Sequence, residues 1–108
     1  MMEDIGYAVD IAFATMKTKN MGIKKATEAV SKSLKLNAEQ SSILERCLIE
    51  RALGIGDPNK EWQRKPSQWL ELYKQAVLAK DECDLGGLGV CSAREAEAVL
   101  GGYIAMHL

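Results

Sequence analysis

The chain has little of what most enzyme and metal sites require. Its one histidine is His107, and its three cysteines, Cys47, Cys83 and Cys91, include no C-x-x-C pair. This wide spacing does not favour a Cys3His zinc site. A nucleophilic pairing of Cys91 with His107 is also disfavoured, because His107 lies about four turns further along the same predicted helix. The sequence therefore predicts no metal, no cofactor and no catalytic residues.

An excess of charge of either sign is also missing, since 14 basic residues face 15 acidic ones. The whole molecule has no strong field to attract nucleic acid or anionic lipid. The uncharged segment 98–108 is much shorter than the roughly twenty residues that a membrane span needs. An acidic N-terminus and an odd number of widely spaced cysteines are typical of a protein that is not exported. We expect a cytoplasmic protein that is not bound to a membrane.

What the chain does have is apolar residues at helical spacing. The length of 108 residues fits one domain with one core, and 47% hydrophobic with 27% charged residues is an ordinary globular composition. Periodicity and turn residues predict no convincing strand and five helices, at about 4–18, 23–34, 37–53, 66–80 and from 93 nearly to the end. We expect an all-α protein, a single helical domain over residues 1–108 built as a compact bundle of four or five helices.

Local signals define where several of these helices begin. Asn37 with Gln40, and Ser92 with Glu95, match the capping box that starts a helix. The segments 54–66 and 81–91 are rich in glycine, aspartate and other turn-forming residues, which predicts loops.

The last predicted helix has no polar side after Glu97. One arc of it consists of small residues: Ala98, Gly101, Gly102 and Ala105. A helix that is apolar all round is normally buried. Glycine in a helix interior costs about 1 kcal/mol relative to alanine, which close approach by another backbone can offset. The first helix is the expected neighbour, because Asp10 is its only charge between Ile5 and Met16.

A bundle of this size cannot hide two such helices on every side, so the surplus apolar surface predicts a homodimer. The residues predicted for self-association are Tyr7 and Ile11 in the first helix, with Ala98, Gly101, Gly102, Ala105 and Met106 in the last. The alternative is a monomer in which the C-terminal helix is central.

A lysine-rich face on the second helix supports a different interpretation, in which this surface contacts nucleic acid or an acidic partner. Its members are Lys24, Lys25, Lys32 and Lys35. A helix-turn-helix would then use the following helix for recognition. That helix begins with Ala38, Glu39 and Gln40, which offer little to phosphates, so the lysines are more typical of a solvated face.

Two other segments are candidates for binding. Trp62, Arg64 and Trp69 are residue types enriched at interface hot spots, although a tryptophan near a loop more often covers its own core. Gly86, Gly87 and Gly89 precede a capped helix, where backbone N–H groups can hold phosphate. The sequence predicts neither the preceding strand nor the Lys-Ser/Thr of known phosphate motifs here.

The sequence thus favours a small helical binding protein, of adaptor, regulator or inhibitor type, that self-associates through its terminal helices and contacts another protein. A helix-turn-helix DNA-binding regulator is the second interpretation. A protein that binds a small ligand between its helices is the third.

Overall fold

The computed structural model describes the backbone of residues 2–61, 63–85 and 89–107. In these ranges the elements are α1 (Met2–Lys19), α2 (Ile23–Leu34), α3 (Ala38–Leu53), α4 (Pro58–Glu61), α5 (Pro66–Leu78), β1 (Glu82–Asp84), β2 (Val90–Ser92) and α6 (Ala93–His107). The predicted all-α class is confirmed, and the five predicted helices correspond to α1, α2, α3, α5 and α6.

Two short elements lie in segments that were predicted as loops. Pro58 opens the single turn of α4, because proline suits the first helical position, where a backbone N–H has no partner. Strands β1 and β2 pair antiparallel, with Cys83 opposite Cys91, so the prediction of no strand is wrong. Each strand has three residues, which is too short for the alternation that reveals a strand in sequence.

Helix α3 is the centre of the fold and packs against α1, α2 and α6. Its Leu44, Leu48 and Ile49 side chains are completely buried. Helix α6 lies between α3 and α5, and α5 is its main neighbour. The expectation that α1 packs closely against α6 is therefore wrong, because α1 is occupied by α2 and α3.

The two predicted helix caps have different outcomes. Asn37 and Gln40 form the predicted capping box, with Asn37 Oδ1 accepting from the Gln40 N–H at 2.8 Å. Helix α6 begins after Ser92 as predicted, but the Ser92 N–H donates to Glu45 of α3 at 2.6 Å. Glu95, the predicted partner, instead forms an ion pair with Arg46 at 3.2 Å. The carboxylate that completes the cap thus comes from another helix.

The β1–β2 hairpin joins α5 to α6 and packs against the start of α2. A Cβ placed on Gly89, whose φ is +89°, would lie 2.6 Å from the Gly22 Cα. Lys24 and Glu82 form an ion pair at 2.8 Å across the same contact. The absence of a side chain at Gly89 therefore lets the hairpin lie directly on the backbone of the α1–α2 turn.

Candidate functional site: the outer face of helix α6

Helix α6 is buried on one side only. Its inner side consists of Ala93, Ala96, Val99 and Leu100, which are buried. The opposite side is solvent-exposed and ends at Met106, whose exposed fraction is 81%. We call this side the outer face of α6, and define it as Ala98, Gly102, Ala105 and Met106. No formal charge lies along α6 between Glu97 and His107.

The two glycines of α6 have different surroundings. A Cβ on Gly101 would lie 3.2 Å from Tyr73 Cε1, so this glycine accommodates an aromatic ring of α5. A Cβ on Gly102 would meet nothing within 4 Å. The close neighbour at Gly101 is thus a side chain of α5 and not the predicted backbone of α1, whereas contacts within the chain give no reason for glycine at position 102.

The residues predicted on α1 lie in a different setting. Tyr7 is 63% exposed, whereas Ile11 is half-buried and packs against the core. Within the part of the chain that the structure describes, α1 and α6 share no substantial packing contact. No interface within the chain therefore joins Tyr7 and Ile11 to the outer face of α6.

A groove of about 470 Å³ runs beside the outer face, between α6 and the C-terminal part of α3. Its apolar lining includes Ile55, Val99 and Tyr103. Its polar lining includes Arg46 and Glu50, which lie one turn apart on α3. The groove therefore offers an apolar floor together with one charge of each sign.

The end of α6 beside this groove is ordered by local contacts. The His107 ring stacks on Tyr103 with centroids 4.4 Å apart, and His107 Nδ1 lies 3.1 Å from the Tyr103 carbonyl oxygen. Tyr103 also packs against Trp69, at 4.5 Å between ring centroids. These contacts fix the last turns of α6 in a defined position relative to α5.

Of the three proposed partner anchors, Trp69 is only 2% exposed and belongs to the core. The Arg64 guanidinium lies 5.1 Å from the Trp69 ring centre and donates to the Leu53 carbonyl. Both side chains are thus used inside the fold. Trp62 lies outside the described residues.

The four lysines are not equivalent. The ion pair with Glu82 raises the pKa of Lys24, while the other three, Lys25, Lys32 and Lys35, are exposed. The helix that would read DNA is α3, the central helix of the bundle, and its leading Gln40 is used in the capping box. This arrangement does not favour a helix placed in the major groove.

Sequence reasoning missed the pairing of two cysteines. Cys83 and Cys91 have their Sγ atoms 3.8 Å apart, and burial raises the pKa of both thiols. Cys91 lies in β2 just before the first residue of α6, and His107 is at the other end of this helix, so the structure does not bring them together. The only local signal was the polar–Cys–polar pattern of E-C-D and the similar V-C-S, and three residues are too few to indicate a strand.

A polar cleft of about 390 Å³ lies between α2, α3 and the start of α6. Five hydroxyl side chains line it, those of Thr27, Ser31, Ser41, Ser42 and Ser92. Ser41 donates to Ser31 at 2.8 Å, and Thr27 donates to the Ile23 carbonyl at 2.9 Å. In the described part of the chain, no fully buried side-chain polar atom lacks a hydrogen-bond partner. The cleft therefore contains no buried group that calls for a ligand.

Two ligand hypotheses, a phosphate loop and a metal site, require several residues to lie close together. Gly86 and Gly87 of the suggested phosphate loop lie outside the described residues. Over residues 2–61, 63–85 and 89–107, no cluster of three or more His, Cys, Asp or Glu side chains is arranged to bind a metal ion. The same ranges contain no helix that combines the length and the apolar character of a membrane span.

Comparison with protein-family models, with curated proteins and with solved structures finds no match for this chain. The surfaces of the molecule itself are therefore the basis for inferring its function. Among them, the outer face of α6 combines four exposed positions without formal charge and an adjoining groove.

Proposed function

We propose that the protein acts by binding rather than catalysis, and that it forms a cytoplasmic homodimer with the outer face of α6 at the seam. The supporting observation is the open space around Gly102 on a helix face without formal charge, a combination that Gly6, one turn from the exposed Asp10, does not have. An interior helix position with open space is better filled by alanine, by about 1 kcal/mol. A second helix backbone at this position benefits from the missing Cβ.

The exposed side chains of the outer face are suited to such an approach. Ala98 and Ala105 are one turn to either side of Gly102, so all three positions present little bulk. Met106 is large, flexible and 81% exposed, which suits insertion into an irregular apolar groove. The groove lined by Val99 and Tyr103 is next to it.

A second copy of the chain suits this surface better than a strongly charged partner does. The groove has both Arg46 and Glu50 on its rim. Rotation about a two-fold axis matches a surface with itself, so Glu50 of each copy can face Arg46 of the other, which also pairs with Glu95 of its own chain. The net charge of −1 adds little repulsion between two copies. An adaptor or regulator role would then be performed by the dimer.

Sedimentation equilibrium over a micromolar concentration range tests the proposal. We expect twice the chain mass of 11.9 kDa for the wild-type protein. Ala98→Arg introduces a bulky charge into the seam, so this variant should be monomeric. The matched control is Ala29→Arg, on the exposed face of α2, which should remain dimeric. An 11.9 kDa species for wild type at every concentration would overturn the proposal.

Alanine at Gly102 gives a second test with opposite effects on folding and on association. Gly102→Ala should raise the stability of the monomer but weaken dimerisation by about tenfold or more, because the added Cβ separates the two helices. Gly6→Ala in α1 is the matched control, since a Cβ there also meets nothing within 4 Å. It should stabilise the fold and leave the dissociation constant unchanged. Equal association for wild type and Gly102→Ala would contradict a seam at this residue.

A further inference from the structure

We propose that Cys83 and Cys91 form a redox-active dithiol, which a low-molecular-weight disulfide such as oxidised glutathione converts to an intramolecular disulfide. The hairpin register places the two residues directly opposite each other. Both side chains are on the buried face of the hairpin, and their Sγ atoms are 3.8 Å apart. The third cysteine, Cys47, is on α3 and has no such partner among the described residues.

The backbone geometry of this pair is compatible with a disulfide. Opposed residues of an antiparallel pair have Cα atoms about 4.5–5.5 Å apart, which falls inside the range of about 4.4–6.8 Å found across disulfides. The Sγ atoms need to approach from 3.8 Å to the bonding distance of about 2.05 Å. Rotation of the two side chains provides this movement, so the ladder can keep its register.

The reaction proceeds by two exchanges. Cys83, which is slightly exposed where Cys91 is fully buried, loses its proton to solvent and attacks one sulfur of the small disulfide. A mixed disulfide forms at Cys83, and one thiol of the reagent leaves with a proton. The Cys91 thiol then loses its proton to solvent, and its thiolate attacks Cys83 Sγ and expels the second reagent thiolate, which takes up a proton. The protein loses two protons and two electrons, and the small disulfide is reduced to two thiols.

Access to the pair is controlled by the hairpin. Burial raises the pKa of both thiols, so little thiolate is present while the hairpin stays packed. The contacts that hold it are the Lys24–Glu82 ion pair and the Ser92–Glu45 hydrogen bond. Oxidation should therefore be slow at neutral pH and faster as the pH rises.

The disulfide would close the connection between α5 and α6. Because it links residues that are already neighbours in the fold, it restricts the unfolded chain without displacing the folded one. For a loop of this length we expect the melting temperature to rise by about 10 °C on oxidation. A thiol reductant should reverse the rise.

The experiment equilibrates the full chain with oxidised glutathione and labels the remaining thiols with a maleimide under denaturing conditions. We expect three labels before oxidation and at most one afterwards, because Cys47 is half-buried and has only a mixed disulfide with glutathione available to it. Apart from any glutathione on Cys47, intact mass should show the loss of two hydrogens from a monomeric chain. Cys47→Ser should give two labels and then none. Cys91→Ser should instead retain glutathione as a mixed disulfide at Cys83.

Three labels on the wild-type chain after equilibration would overturn the proposal, as would a disulfide found only between chains through Cys47. The readout is made on denatured protein of known mass, so it does not depend on whether the native protein dimerises. If Cys91→Ser alters the structure of the protein, Cys47→Ser still tests the proposal, because this variant keeps both cysteines of the pair.

Discussion

The Glu45 carboxylate of α3 accepts a hydrogen bond from the Ser92 backbone N–H at 2.6 Å and thereby caps the N-terminus of α6. Glu45 is only 6% exposed. A carboxylate at this position also interacts favourably with the positive end of the helix dipole. The central helix of the fold thus holds the start of the helix whose outer face we propose as the dimer seam.

Removal of this acceptor should destabilise the fold. Glu45→Ala leaves the Ser92 N–H without its partner in a mostly buried site, so we expect a loss of about 2 kcal/mol in the free energy of unfolding. Glu45→Gln keeps an amide oxygen as acceptor and should lose less. Urea denaturation followed by circular dichroism measures both.

The matched control for Glu45 is the exposed carboxylate of Glu28 on α2. Glu28→Ala should change the free energy of unfolding by less than about 0.5 kcal/mol. Equal losses for the alanine variants at the two positions would show that the cap contributes nothing.

The sequence predicts the helices well because their signals are local. Five segments with apolar residues at helical spacing are helices, and Asn37 with Gln40 forms the capping box that their separation of three residues indicates. The partner of Ser92 could not be predicted in this way. Glu45 is 47 residues away in the chain, and only tertiary packing brings it to the start of α6.

The sequence identifies the uncharged residues of α6, but it does not predict which side of this helix faces the core. Helical periodicity separates two uncharged arcs of α6, but both are apolar, so it cannot tell which one faces the core. Packing decides the matter, because Tyr73 of α5 lies against Gly101 while Gly102 faces outward. The Cys83–Cys91 pair was missed for another reason: three-residue strands around a glycine-containing loop resemble an irregular connection.

Two glycines with the same φ should respond differently to alanine. Gly56 and Gly89 have φ of +90° and +89°, so alanine is strained at both, by about 1–2 kcal/mol. A Cβ at Gly56 meets nothing within 4 Å, whereas at Gly89 it lies 2.6 Å from the Gly22 Cα, a backbone atom that cannot rotate away. Gly89→Ala should therefore lower the free energy of unfolding at least twice as much as Gly56→Ala. Chemical denaturation measures both losses, and similar values would show that the hairpin does not rest on the α1–α2 turn.

The buried thiols should make the reduced protein less stable in alkali. Burial raises the pKa of Cys83 and Cys91 above the ordinary value of 9.0, so the folded state keeps protons that the unfolded chain has lost. Stability is fully present below about pH 9 and falls above it, by at most about 1.4 kcal/mol per pH unit for each thiol. Denaturation in excess reductant from about pH 8 to about pH 10, a range that spans the ordinary thiol pKa, measures this slope. The double variant Cys83→Ala/Cys91→Ala retains Cys47 and should give a flatter slope; equal slopes would mean that both thiols ionise as readily in the folded chain as in the unfolded one.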